Sequence, residues 1–157
     1  MAEGNQIELI KAIRERTGAG MMDCKHALEE TGWDIEKAID LLREKGIAKQ
    51  AKRAGRTASE GLATIKICDK CGCAVIVETN CETDFVSASD KFIAMSNAIA
   101  EKVLKNKPAT IEEAKGLVEV ELNDCALACG EKLDFRRFHL FELKDGQAYG
   151  SYIHMAG

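Results

Sequence analysis

The sequence predicts an α+β protein in which a small helical bundle precedes an antiparallel sheet with helices packed on one face. Apolar residues recur at helical spacing through residues 7–45, and two β-rich stretches, 61–79 and 135–154, flank a second region of helical spacing. Strands, then helices, then strands again is an order typical of a layered α+β domain. The 157 residues have room for a small domain joined to a medium one.

The first domain is predicted at residues 1–46 as a bundle of three short helices. Their apolar stripes lie at 7–13, 21–30 and 35–45. Asp34 is a candidate N-cap for the third helix, and Trp33 is expected to fill the gap between the second and third helices. This arrangement resembles a ubiquitin-associated-type three-helix bundle.

The break between the first two helices contains two adjacent methionines, Met21 and Met22, behind Gly18-Ala19-Gly20. The glycines allow a tight turn, and methionine suits an irregular partner surface because its side chain is flexible. Packing of both methionines in the bundle core is an equally good interpretation, and both stay open at this point.

A basic linker is predicted at residues 47–60. Lys49, Lys52, Arg53 and Arg56 follow one another with no acidic residue among them. A frayed extension of the third helix would give the same pattern. A solvated linker is favoured over a nucleic-acid site, because so short a run supplies few phosphate contacts.

The second domain is predicted at residues 61–157. Strands at 61–67 and 74–79 form a hairpin, one long helix covers 87–105, and 110–129 forms one broken helix or two shorter ones. Ser87 is the expected cap of the long helix. A last hairpin pairs 135–143 with 148–154 across the turn at 144–147. The domain is expected to be incomplete at its C-terminal end, because the last strand has no further neighbour in sequence.

The turn between the second strand and the long helix is the leading candidate for a functional site. Its sequence is Thr79-Asn80-Cys81-Glu82-Thr83-Asp84-Phe85-Val86. Turns on a rigid scaffold often display working side chains, and here a large apolar ring stands beside a carboxylate. The competing interpretation, in which Phe85 folds back into the core and Asp84 caps the helix, is the more common arrangement for apolar residues at helix ends.

A metal site is the second candidate. Cys68, Cys71 and Cys73 surround the first hairpin turn, and a Cys-x-x-Cys pair can supply two zinc ligands. Cys81, or the Cys125–Cys129 pair, would have to provide a fourth ligand. The spacing is incomplete, so these are weak candidates and we expect no metal and no cofactor.

Composition excludes several classes of protein. The net charge of −4 argues against a surface that binds nucleic acid as a whole, and no apolar run is long enough to cross a membrane. Seven cysteines without a signal-like start predict reduced thiols and a cytoplasmic location. The three histidines are scattered and there is no Gly-rich phosphate loop, so neither an enzyme nor direct nucleotide binding is expected.

Several motifs together resemble the bacterial and organellar translation elongation factor Ts family. They are Arg14-Glu15-Arg16-Thr17-Gly18-Ala19-Gly20-Met21-Met22-Asp23-Cys24-Lys25, the basic segment 49–56, Asn80-Cys81-Glu82-Thr83-Asp84-Phe85-Val86, Arg136-Arg137 and Gly150-Ser151-Tyr152-Ile153-His154. The resemblance extends over nearly the whole chain. Family members normally continue past the last motif with glycines and a further strand, so the chain is expected to be a shortened form.

The resemblance implies a guanine-nucleotide exchange factor for elongation factor Tu. It implies that the turn Thr83-Asp84-Phe85-Val86 enters the partner near its magnesium site, with Phe85 as a wedge and Asp84 making polar contacts. It also implies that Arg14, Met21 and Met22 contact the same partner domain, and that His154 adds a further contact.

Two rival functions stay open. A ubiquitin-associated-like adaptor would bind partners without accelerating nucleotide release, and a small zinc-dependent nucleic-acid binder would use the cysteines and the linker. The unpaired edge of the last strand also leaves a homodimer open.

Overall fold

The structure is a computed structural model that describes residues 3–153, with side chains from residue 4 onward. Three helices come first, then a hairpin, four helices and a last strand. The helices are α1 (Glu3–Thr17), α2 (Met21–Glu30), α3 (Ile35–Arg53), α4 (Asp84–Ser87), α5 (Asp90–Asn106), α6 (Ile111–Leu117) and α7 (Glu119–Cys129), and the strands are β1 (Glu60–Cys68), β2 (Cys73–Cys81) and β3 (Asp134–Glu142). The predicted α+β class is confirmed.

The chain divides into two compact units. The first contains the residues up to Arg56 together with Asn123–Lys132, and the second contains Thr57–Leu122 together with the residues from Leu133 onward. The sequence-based division assigned 123–132 to the second domain. The structure differs because one end of α7 packs in the first unit.

The first unit is built on a small apolar core shared by α1, α2 and α3. Its fully buried members include Ile13, Leu28 and Leu42. Trp33 packs against this core, as expected, from a left-handed backbone position with φ 67°. Ile7, which the periodicity assigned to the inner face, is 55% exposed instead.

Helix α3 does not end near residue 45 but continues to Arg53, so the first part of the predicted linker is helical. The extension packs against the segment 123–132. Gly46 is buried beside the side chain of Leu127, Arg43 pairs with Asp124 at 3.2 Å, and the Gln50 amide donates to the Glu131 carbonyl. These contacts join residues far apart in sequence, so local helix propensity did not reveal them.

The second unit is a three-stranded antiparallel sheet in the order β1-β2-β3, with α5 packed on one face. Alternate residues of β2, including Val75 and Val77, are fully buried, as are Phe92 and Ile99 of α5 and Phe135 of β3. This alternation follows from the two-residue side-chain period of a strand.

Three buried or half-buried hydroxyl groups connect the sheet to α5. The Ser96 hydroxyl lies 2.9 Å from that of Thr79 on β2 and 2.6 Å from that of Thr64 on β1. Ser96 and Thr79 are completely buried. The hydroxyls satisfy one another's hydrogen-bonding capacity, so they define one register of α5 on the sheet.

The last predicted strand is not formed. A turn at 144–147 is present, but residues 148–153 lie in no strand, and the part of the predicted strand at His154 lies outside the described residues. Instead, the Tyr149 hydroxyl donates to the carbonyls of Gly72 and Phe141 at 2.8 and 2.9 Å. A side chain thus anchors this segment where a backbone ladder was expected.

Two further local predictions differ from the structure. Ser89, not Ser87, caps α5, because residues 84–87 form the separate one-turn helix α4. Of the two alternatives for residues 110–129, two shorter helices are observed. Across the described residues, no helix combines the length and the apolar character that crossing a membrane requires.

Gly61 provides a test of the hairpin. Its φ is +149°, and an added Cβ would lie 2.1 Å from the Thr79 carbonyl oxygen. We expect Gly61→Ala to destabilise the protein by on the order of 3 kcal/mol in urea unfolding. Gly116→Ala is the matched control, because that glycine is helical with open space around it, and it should be neutral or stabilising by about 0.5–1 kcal/mol. Equal stabilities of the two variants would contradict this account.

Candidate partner-binding site

The candidate site is the connection from β2 to α5, and its two ends are firmly held. Cys81, the last residue of β2, is buried, and its thiol donates to the Thr83 carbonyl at 3.2 Å. The Asn80 amide donates to the Glu60 carbonyl at 3.2 Å, which connects the end of β2 to the start of β1. The Ser89 hydroxyl donates to the Val86 carbonyl at 2.7 Å and also caps α5.

Between these ends, α4 is a single helical turn with its own caps. Thr83 is the N-cap and accepts from the Val86 N–H at 3.4 Å, while the Ser87 hydroxyl donates to the Asp84 carbonyl at 2.9 Å. The sequence interpretation had considered Asp84 as a cap. Thr83 takes this position because a threonine hydroxyl reaches the N–H three residues on when its own backbone is extended.

Phe85 projects from α4 into solvent, with 85% of its surface exposed. No residue of α4 is buried, although Val86 is half-buried. The interpretation in which Phe85 folds back into its own core is therefore wrong. The ring is therefore free to contact a partner, on a turn whose two ends are held by hydrogen bonds.

Asp84 lies beside the ring and is also exposed. Its Oδ1 accepts the Phe85 N–H at 3.0 Å, which suits a carboxylate in the first turn of a helix. The turn therefore presents a negative charge and an aromatic ring from adjacent residues of one rigid element.

The predicted contacts in the first unit are exposed as well. Met21 and Met22 begin α2 and are 48% and 59% exposed, so the interpretation that places both in the core is wrong. Gly18, with φ 70°, and the buried Ala19 set the turn in front of them. Arg14 is an exposed residue of α1 whose carbonyl accepts the Gly18 N–H at 2.8 Å.

The structure thus groups Thr83, Asp84, Phe85 and Val86 on α4, and it places Arg14, Met21 and Met22 around the α1–α2 turn of the other unit. His154 lies outside the described residues. Sequence reasoning missed the capping role of Thr83, although Thr-x-x-Val at a strand-to-helix turn was a usable signal. It also missed Tyr149, because nothing in the sequence indicates which carbonyls its hydroxyl reaches.

The three cysteines of the first hairpin lie close together. Among the described residues, no group of three or more His, Cys, Asp or Glu side chains could hold a metal ion. The Cys71 thiol donates to the Cys68 carbonyl at 3.6 Å, and the Cys73 thiol donates to the Cys71 carbonyl at 3.1 Å. Hydrogen bonding from Cys71 lowers the pKa of Cys68, and the same interaction raises the pKa of Cys71 to about 11.

The fold thus displays an aromatic ring and a carboxylate side by side on the exposed turn α4. A family model described as Elongation factor TS matches residues 82–157. This match begins one residue before Thr83, includes α4, α5 and β3, and supports membership of the elongation factor Ts family. It also supports a role in translation elongation as a partner of elongation factor Tu.

The cap of α4 can be tested separately from any partner. Thr83→Ala removes the N-cap, which is worth about 1 kcal/mol, so we expect amide hydrogen exchange at Val86 to accelerate roughly fivefold. Thr83→Ser keeps a hydroxyl acceptor and should exchange as the wild type does. Thr83→Ala should also lower the free energy of unfolding by about 1 kcal/mol, whereas Thr83→Ser should retain the wild-type value. Equal Val86 exchange in the Ala and Ser variants would show that Thr83 does not stabilise this turn.

Proposed function

We propose that the protein is a guanine-nucleotide exchange factor that promotes GDP release from elongation factor Tu. In this proposal, the Thr83-Asp84-Phe85 turn enters the partner near the site that holds magnesium and phosphate. The single observation that carries the proposal is the exposure of Phe85, 85% of whose surface faces solvent on a turn held at both ends.

The energetics favour such a wedge. Burying a phenylalanine side chain contributes about 1.5–3 kcal/mol, and α4 needs little ordering on binding because it is already capped. A surface that fits only the loosened partner shifts that partner toward the conformation with weak nucleotide affinity. By linkage, bound nucleotide weakens the affinity for the factor to the same extent, so the factor is released when nucleotide returns.

Asp84 adds an electrostatic component to the wedge. Its carboxylate is fixed beside the ring by the Phe85 N–H. A negative charge brought close to bound phosphate is unfavourable, and a carboxylate is also a hard oxygen ligand that can compete for magnesium. Either effect weakens GDP binding without a covalent step, so the proposed function requires neither a cofactor nor direct nucleotide binding by this chain.

The first unit supplies affinity in this proposal. Met21 and Met22 offer flexible apolar side chains on a turn shaped by Gly18, and Arg14 offers a positive charge nearby on α1. His154 is proposed as an additional contact. A cytoplasmic location agrees with the proposed partner, and a homodimer through the edge strands β1 or β3 stays a prediction.

The second candidate function is a non-exchanging adaptor. The exposed Met21 and Met22 favour it, because they would let the helical bundle bind a partner without help from the second unit. The two functions differ in one measurement, since an adaptor binds elongation factor Tu without changing the rate at which it releases GDP.

The wedge is tested by Phe85→Ala in a stopped-flow assay of GDP release from elongation factor Tu. We expect the maximal stimulated rate to fall roughly tenfold to a hundredfold, because the energy of burying the ring is lost in the loosened state. Phe141→Ala is the control, because it truncates a ring that is 44% exposed on β3 of the same unit. An unchanged rate with Phe85→Ala would rule out the wedge, and no stimulation by the wild type would favour the adaptor.

The bundle is tested by Met22→Ala in the same assay. A residue that supplies affinity alone should raise the factor concentration needed for half-maximal stimulation about fivefold and leave the maximal rate unchanged. Ile7→Ala is the matched control, since Ile7 is an apolar residue of the same unit that is 55% exposed. A lower maximal rate with Met22→Ala would contradict this division of roles.

A further inference from the structure

The turn between β1 and β2 concentrates three of the seven cysteines within six residues. Cys68 ends β1, Cys71 lies in the turn and Cys73 begins β2. Cys68 is half-buried, Cys71 is exposed and Cys73 is 2% exposed, so a small solute reaches the first two thiols and not the third. All three are free thiols. The proposed exchange function uses none of them.

The geometry keeps Cys68 and Cys71 together. The Cys71 thiol lies 3.6 Å from the Cys68 carbonyl oxygen, and the two thiol groups also interact with each other. The turn is anchored on its other side, because the Gly72 carbonyl accepts both the Leu143 N–H and the Tyr149 hydroxyl at 2.8 Å. The exposed thiol therefore stays beside its neighbour.

Cys73 differs from this pair in its burial, although it also contacts Cys71. It lies directly opposite Cys68 in the β1–β2 register, but its thiol donates to the Cys71 carbonyl at 3.1 Å. The Lys107 side chain also contacts this thiol, which helps to raise the pKa of the lysine. Because Cys73 is buried, Cys68 and Cys71 are the pair that a solute reaches.

We propose that Cys68 and Cys71 form a reversible dithiol–disulfide site that is oxidised by hydroperoxides, with Cys68 as the attacking thiol and Cys71 as the resolving thiol. Adjacent accessible thiols of this Cys-x-x-Cys type are typical of redox-sensitive sites. The lowered pKa of Cys68 and the raised pKa of Cys71 agree with these two roles.

The reaction balances in two steps. The Cys68 thiolate attacks one peroxide oxygen, the O–O bond breaks, and the leaving oxygen takes a proton to become an alcohol or water, so that Cys68 carries a sulfenic acid. The Cys71 sulfur then attacks the Cys68 sulfur, an S–S bond replaces the S–O bond, and the departing hydroxide takes the Cys71 proton to form water. Two electrons pass from the two thiols to the hydroperoxide, and a dithiol reductant reverses the change.

The test uses the full chain treated with one equivalent of hydrogen peroxide and analysed by peptide mapping. We expect a mass loss of about 2 Da, located between Cys68 and Cys71 and reversed by dithiothreitol. Cys68→Ser cannot form this disulfide, so the reversible mass loss at the turn should disappear. In Cys71→Ser, we expect a sulfenic acid that a 1,3-dione probe traps on Cys68.

Two controls separate this site from the other thiols. Cys73→Ser should still form the Cys68–Cys71 disulfide. Cys129→Ser should also form it, although Cys125 and Cys129 lie with their sulfurs 3.7 Å apart and are the obvious competitors. A disulfide that involves Cys73 or Cys125 would overturn the proposal. Three other results would overturn it as well. They are irreversible oxidation, a lack of oxidation, and protection of the thiols by one equivalent of tightly bound zinc.

Discussion

The packing of α5 against the central strand β2 is the constraint on which the second unit depends. The buried hydroxyls of Ser96 and Thr79 meet at this contact, surrounded by fully buried apolar residues such as Val77 and Phe92. An unpartnered hydroxyl in an apolar layer costs free energy, so this pair favours the observed register of α5 on β2. The contact therefore holds the two elements that α4 connects.

The exposure of Phe85 follows from that contact. Only a short segment connects Cys81 to Ser89, and both of these residues make hydrogen bonds inside the second unit. The segment forms the one-turn helix α4, capped by Thr83, on which Val86 is half-buried and Phe85 is exposed. Exposure of an apolar side chain to water is unfavourable. A partner that buries this side chain therefore gains the corresponding free energy on binding. The stability of the core and the proposed wedge are thus two results of one arrangement.

The two ends of β2 carry different chemistry on one rigid strand. One end leads into α4 and its exposed ring, while the other begins at Cys73 beside the thiols of Cys68 and Cys71. A strand of nine residues separates these ends by roughly 30 Å, so a disulfide in the turn would not touch the candidate binding surface. The hairpin can therefore hold a redox-sensitive turn and a partner-binding turn without either distorting the other.

Local patterns in the sequence determined the helices, the first hairpin, the α+β class and the position of the turn around Phe85, because periodicity and capping depend on neighbouring residues. Only the tertiary structure decided which way that ring points, since the choice between core and solvent depends on how α4 lies against the sheet and α5. The same holds for the extension of α3 to Arg53, which packs on residues about eighty positions later, and for residues 148–153, where the Tyr149 hydroxyl replaces an expected strand ladder. In each case the deciding contact joins residues distant in sequence. Local sequence patterns do not indicate which distant residues come into contact.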